Sequence, residues 1–179
     1  MATSAPASTL DVRRLGAVSE AQLQALADIL IDCVAGGASV SFMLPMTRDK
    51  ALAFWRQGAA GAASGERALL VAEDAHGIVG TVQVILAQPE NQPHRADVAK
   101  MLVHRRARRQ GAGAALMRAA ERVALDEGKT LLVLDTADDT AARLYTRLGW
   151  QAAGTIPRYA LMPQGGECAT TYFYRSLTD

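Results

Sequence analysis

The chain reads as a single-domain α/β protein with a mixed sheet, and three observations carry that reading. Two segments of helical period come first, around Leu23, Leu26, Ile29 and Leu30 and around Ala51, Leu52 and Trp55. A hairpin follows, in which Ala68-Leu69-Leu70-Val71-Ala72-Glu73 turns at Asp74-Ala75-His76-Gly77 into a strand over 78–86. The remainder alternates strand, helix, strand, helix, strand, a pattern that lays helices against one sheet. With 179 residues, 50% hydrophobic content and 6 prolines, the chain is long enough for one core. It contains neither an internal repeat nor a linker.

Taken in order, residues 1–9 lack the basic and apolar regions of a secretory signal and are expected to form a disordered leader. The single domain is expected over 10–179. Asp11-Val12-Arg13-Arg14-Leu15 alternates weakly, as a first edge strand does. Ser19 and Gln22 form a capping-box pattern ahead of a helix that should stop at Gly36-Gly37. Residues 38–45 make a small, apolar loop. Thr47 is a candidate N-cap for a second helix, which the glycines from 58 to 65 should end.

Residues 95–103 read as a third long strand, with Ala96, Val98 and Leu102 sharing a face. A helix is expected over 112–127, closed by Gly128. The unbroken run Leu131-Leu132-Val133-Leu134 has the composition of a strand buried on both faces. A short helix over 140–148 with Gly149 as its cap, a strand over 151–156, a loop after Pro157 and a last strand over 170–174 complete the order.

Net charge is +1, which excludes a dedicated nucleic-acid surface, and no aromatic residue interleaves with the arginines. No apolar run approaches the roughly 18 residues of a membrane span. Cys33 and Cys168 lack CxxC spacing and are expected to be reduced thiols of a cytoplasmic protein. His76, His94 and His104 have no metal-ligand spacing, so no metal is expected.

The centre of the sequence is the stretch from Met101 to Met117. An apolar strand end, Met101-Leu102-Val103, runs into four arginines between 105 and 109, then Gly111-Ala112-Gly113, then an Ala/Leu-rich helix. Strand, glycine loop and helix N-terminus together make an anion site, because outward N–H groups and the helix dipole favour negative charge where glycine allows close approach. The pattern is neither GxGxxG nor a P-loop.

This segment, Arg108-x-x-Gly111-x-Gly113, resembles the central motif of the GNAT superfamily of N-acetyltransferases. The helix Ala141-Ala142-Arg143-Leu144-Tyr145 ending at Gly149-Trp150 is similar to the superfamily's second marker. A closer likeness, to the tabtoxin-resistance acetyltransferases, lies in Gly36-Gly37-Ala38-Ser39-Val40-x-Phe42-Met43, Arg95-Ala96-Asp97-Val98-x-Lys100-Met101, Leu134-Asp135-Thr136 and Ile156-Pro157-x-Tyr159.

The resemblance implies a mostly antiparallel sheet of about six or seven strands with about four helices, and acetyl-CoA as acetyl-donor cosubstrate. Under it, the backbone of Met101, Leu102 and Val103 pairs with the pantetheine arm. Arg109, Gln110, Gly111, Ala112, Gly113 and Ala114 hold the pyrophosphate, and Arg105, Arg106 or Arg108 meets the remaining charge. Tyr145 becomes the donor to the leaving thiolate. Asp97 and Asp135 become candidate bases, or Asp135 a ligand of the substrate ammonium. Asp138 stands where the superfamily commonly has Asn contacting the cofactor arm. Gly37, Ser39 and Phe42 lie in a loop over the acceptor. The expected reaction is direct transfer to a small amine, with an amino-acid-like toxin of the tabtoxinine-β-lactam kind as acceptor. An antibiotic, a polyamine or a protein N-terminus is the alternative acceptor, and a non-catalytic acyl-CoA module the competing class. The protein is expected to be a monomer or a homodimer.

Overall fold

The computed structural model describes residues 10–178, so the expected leader over 1–9 lies outside the described residues. One sheet of seven strands organises the rest, in the order β1-β2-β3-β4-β5-β7-β6. The strands are β1 (Asp11–Leu15), β2 (Arg67–Asp74), β3 (Gly77–Ile85), β4 (Arg95–Val103), β5 (Leu131–Thr136), β6 (Gln151–Leu161) and β7 (Glu167–Ser176). The helices are α1 (Glu20–Ala35), α2 (Arg48–Ala63), α3 (Ala112–Asp126) and α4 (Asp139–Arg147).

The two sheet faces carry separate cores. Leu116, Met117 and Ala120 of α3 pack with Leu70, Val82, Val84 and Leu132 on one face, where Tyr145 of α4 joins them. Leu26 and Leu30 of α1 and Trp55 of α2 pack with Leu15, Leu69 and Val71 on the other. Each such side chain taken out of water contributes on the order of 1.5–3 kcal/mol before its lost conformational freedom is counted.

The sequence signals at helix starts are realised as hydrogen bonds. Ser19 Oγ accepts from the Gln22 N–H at 3.2 Å, and the Ser19 N–H donates to Gln22 Oε1 at 2.9 Å. Ser19→Ala is therefore expected to lower stability by about 1 kcal/mol, read as a shifted midpoint in urea at unchanged slope. Thr47 Oγ1 caps α2 in the same manner, accepting from the Lys50 N–H.

Four expectations are corrected. The second helix runs through its glycines to Ala63, with Gly58 buried beside Trp55 and Gln83 and with Gly61 seated so tightly that a Cβ would lie 2.5 Å from Arg67 Nε. Tertiary packing outweighs the roughly 1 kcal/mol that a mid-helix glycine costs. β5 is not buried on both faces: Leu132 and Leu134 are buried, whereas Leu131 and Val133 are half-buried. β6 continues past Pro157 to Leu161, which an edge strand permits because Pro157 lacks only a ladder donor. The single-face reading of Ala96, Val98 and Leu102 also fails, and that failure shapes the site. Thr81 pairs with Leu102 but Gln83 pairs with Ala99, so Val82 faces both Lys100 and Met101. This is a β-bulge, with Lys100 at φ +52°. Beyond it the faces exchange: Ala96 and Val98 belong to the α3 core, Leu102 to the α1/α2 core.

Candidate active site

Among the described residues β4 and β5 are the only parallel neighbours in the sheet, and they pair over three residues alone, Arg95 to Asp97 with Leu131 to Val133. After Asp97 and Val133 the strands part. The rest of β4 keeps β3 on one side, and its other edge faces a wedge without a strand partner. Met101, Leu102 and Val103 form the β4 wall of that wedge, with Met101 half-buried.

At the wedge's end stands the glycine loop. The N–H groups of residues 109–114 find no acceptor among the described residues, and Gly111 caps α3 with no side-chain bond. Arg109 and Gly111 are both left-handed, at φ +61° and +86°, which turns successive N–H groups outward into an anion-binding concavity. Gly113 lies close to α4, since a Cβ there would sit 3.0 Å from Leu144 Cδ2 and 3.8 Å from Met101 Sδ. Wedge, α3 N-terminus and α4 thus converge on one place.

The arginines divide by partner. Arg105 is paired with Asp32 through Nε and backbone N–H, and Arg106 with Asp74 at 2.6 Å. Burial works to raise the Asp32 carboxyl, but its hydrogen bonds from Arg105 outweigh that and hold it below the usual carboxylate range. Among the described residues Arg108 and Arg109 have no carboxylate partner; Arg108 Nε donates to the Val103 carbonyl at 3.3 Å. Of the arginines expected to meet phosphate, Arg105 and Arg106 are engaged by carboxylates, whereas Arg108 has none among the described residues. Gln110 Nε2 donates to the Arg106 carbonyl at 3.1 Å. Unpaired N–H groups, an open strand edge and two guanidinium groups without a carboxylate among the described residues fit a diphosphate attached to an extended amide-bearing arm.

Tyr145 projects from α4 into the α3-side core, 5% exposed, with its ring 5.8 Å from Phe173 and 6.1 Å from Trp150 by centroid. Its hydroxyl has no partner among the described residues, yet is not one of the sealed, unsatisfied polar atoms, so it keeps some access to solvent. Burial, then the charges of Asp138 and Asp135, push the phenol above its ordinary range. It stays a proton donor.

The two acidic strand residues differ. Asp97 accepts from Arg95 on Oδ1 and from Gln88 Nε2 on Oδ2 at 3.1 Å, so both oxygens are engaged. Asp135 is exposed at the wedge mouth, with Oδ2 accepting from Thr170 Oγ1 at 2.7 Å and no bond on Oδ1. Asp138 Oδ1 caps α4 by accepting from the Thr140 and Ala141 N–H groups. That use explains why an aspartate suits this position, and commits one oxygen away from a cofactor arm.

Over the other face of the wedge lies the α1–α2 loop. Ser39 Oγ donates to the Leu161 carbonyl at 3.3 Å and accepts from Cys168 Sγ; the Leu44 N–H donates to the Pro163 carbonyl at 2.9 Å. The loop is thereby tied to the β6–β7 hairpin. Phe42 packs edge-on against Phe54, and Gly37 turns the chain at φ +93°.

Three residues here escaped sequence reasoning as site residues. Tyr159 and Tyr172 hold their hydroxyls 2.8 Å apart, and Tyr172 is pushed up to about 12 by that hydrogen bond, then by burial and the nearby Asp135 charge. Lys100 Nζ donates to Ser41 Oγ at 3.1 Å. Tyr159 and Tyr172 lie 13 residues apart in the sequence, on separate strands, so neither has a visible partner there.

Residues 65–152 match the family model described as an acetyltransferase (GNAT) domain. The whole fold is similar to that of yncA from Salmonella typhimurium, solved with its cofactor acetyl-CoA (TM-score 0.78, 18% identity, 96% of each chain). It is similar also to a ribosomal-protein-alanine N-acetyltransferase from Brucella melitensis (TM-score 0.78, 21% identity, 92% of this chain and 98% of that one). A provisionally assigned phosphinothricin N-acetyltransferase gives TM-score 0.77 at 21% identity, over 96% of this chain and 100% of that one. Residues 65–152 thus form an acetyltransferase (GNAT) domain, and the whole chain shares the fold of these acetyltransferase structures. It is an acyltransferase, and acetyl-CoA is its acetyl donor.

Proposed function

We propose that the protein transfers acetyl from acetyl-CoA to the amine of a small molecule by direct attack, without an acyl-enzyme. The single observation carrying this reading is the wedge between β4 and β5, with Asp135 on β5 beyond the last paired residue and the Tyr145 phenol close enough to feel its charge. Met101, Leu102 and Val103 offer the strand edge for the donor's amide arm. Residues 109–114 offer N–H groups for the pyrophosphate, and Arg108 and Arg109 the neutralising charge.

Acetyl-CoA supplies the thioester. Asp135 Oδ1 is the free carboxylate oxygen that takes the ammonium proton, directly or through one water, so that nitrogen has a lone pair with which to attack. The new C–N bond forms as C–S breaks; the Tyr145 hydroxyl gives its proton to the departing sulfur, and the proton shed by the acylated nitrogen returns through water to Tyr145. Asp97, held by Arg95 and Gln88, keeps the roots of β4 and β5 together and acts as a positioning residue.

The roofing of the cleft favours a small acceptor over a protein N-terminus. The α1–α2 loop is bonded to the β6–β7 hairpin at Ser39 and Leu44, which narrows the route for an extended polypeptide. An amino-acid-like toxin is one candidate within the small-amine class; an antibiotic or polyamine is another.

The test is thiol release from acetyl-CoA over a panel of amino acids, polyamines, antibiotic amines and short peptides. Turnover on small amines with little on peptides is expected, and Asp135→Asn should lower kcat by about 10²-fold, more than Asp97→Asn does. Thiol release no faster than in buffer on every amine would sink the proposal.

A further inference from the structure

We infer that Lys100 reads an anion on the acceptor, so that the substrate carries a carboxylate or an equivalent oxyanion beside its reactive amine. The inference deepens the proposed transferase function and rests on it for what lies beside the anion.

The backbone supplies the first argument. In an unbroken strand, Lys100 would share a face with Ala96 and Val98 and enter the α3-side core. The bulge instead sends it to the α1/α2 face, below the acceptor loop. That diversion holds a non-glycine residue at φ +52°, in the left-handed region that favours glycine. Ser41, which meets it from the loop, is likewise left-handed at φ +78°. Two strained residues from separate elements therefore meet at one ammonium.

The second argument is what the ammonium lacks. Lys100 is half-buried, donates to Ser41 Oγ at 3.1 Å, and lies 5.7 Å from the centre of the Phe54 ring. No carboxylate among the described residues stands within ion-pair distance of it. Burial lowers its pKa, and the Asp135 charge offsets this only in part. Lys129 shows how this chain treats a lysine whose role is structural: buried, it donates to the Leu86 and Pro93 carbonyls at 2.9 and 2.8 Å. Lys100 has one hydroxyl where Lys129 has two carbonyls, and its remaining donors have no acceptor among the described residues. A desolvated cation with spare donors is completed by an anion, through charge-assisted hydrogen bonds.

With Asp135 across the wedge mouth, the site holds one anionic and one cationic anchor. Such a pair matches a zwitterion, amine to Asp135 and carboxylate to Lys100. Polyamines, which carry only positive charge, meet repulsion there.

The experiment compares α-amino acids with their α-carboxamides, measuring calorimetric binding to the CoA-saturated protein alongside kcat/KM for thiol release. The wild type should bind at least one acid about 10- to 100-fold more tightly than its amide, the range of one or two charge-assisted bonds. Lys100→Met should abolish that preference, leaving amide binding and the KM for acetyl-CoA unchanged, and Lys100→Arg should restore part of it. Equal losses on acid and amide, no preference in the wild type, or no binding across the panel overturns the inference. Selective acid binding without thiol release leaves the anion site standing and overturns the transferase reading instead.

Discussion

Tyr145→Phe is expected to lower kcat by about 10²–10³-fold while leaving the KM for acetyl-CoA nearly unchanged. The substitution removes one oxygen and keeps the ring that packs against Phe173 and Trp150, so stability at neutral pH should hold. Loss in kcat alone is the mark of a group that acts on the departing sulfur and not on ground-state binding. The pH behaviour gives a second readout. Burial raises the folded-state phenol above its unfolded value of about 10, which favours the neutral form in the native protein. This contribution to stability is full below pH of about 10 and is lost as pH rises beyond it. The wild type should therefore weaken more steeply than Tyr145→Phe between roughly pH 10 and 11, measured by urea melts. A donor that stays protonated also predicts no alkaline decline in kcat from this residue below that range. An unchanged kcat, or equal losses in kcat/KM through KM alone, would remove Tyr145 from the chemistry.

Much of the donor side was legible in the sequence because its parts are local. Gly111, Gly113, the arginines and the following helix lie within a few residues, and loop, dipole and N–H groups form together. Tyr145 was legible for the same reason, through the motif around it. The acceptor side was not. Lys100 gave no local sign of a bulge, because the left-handed position is filled by lysine where glycine would have announced it. Period two then assigned Leu102 to the wrong face. Tyr159 and Tyr172 meet across two strands, and no single window contains both. The arginine partition depended on Asp32 and Asp74, each far from the loop in sequence. Asp97 and Asp135 looked equivalent until Arg95, Gln88 and Thr170 distinguished their oxygens. Reactive potential was thus readable from residue type, and availability only from the partners that the fold brings.

Gly113→Val is expected to weaken CoA binding by about 10²-fold, in line with the cost of displacing a bound group by roughly 1 Å. Gly113 has an ordinary helical backbone, so valine incurs no left-handed strain and improves on glycine's helix propensity. The effect must come from space. A Cβ already lies 3.0 Å from Leu144 Cδ2 and 3.8 Å from Met101 Sδ, and the added methyls push towards either the wedge or the residue preceding Tyr145. Gly113→Ala, which Leu144 can accommodate by a small rotation, should fall between the two. Gly111 supplies the contrast: its φ of +86° makes Gly111→Ala strained, but nothing lies within 4 Å of the new methyl. Gly111→Ala should therefore lower the urea midpoint by an amount equivalent to about 1 kcal/mol while affecting CoA affinity less than Gly113→Val does. Calorimetry with CoA and urea unfolding on the same three variants separate blockage from strain. Wild-type affinity in Gly113→Val would mean that the donor does not pass between α3 and α4, and that the open edge of β4 is filled some other way.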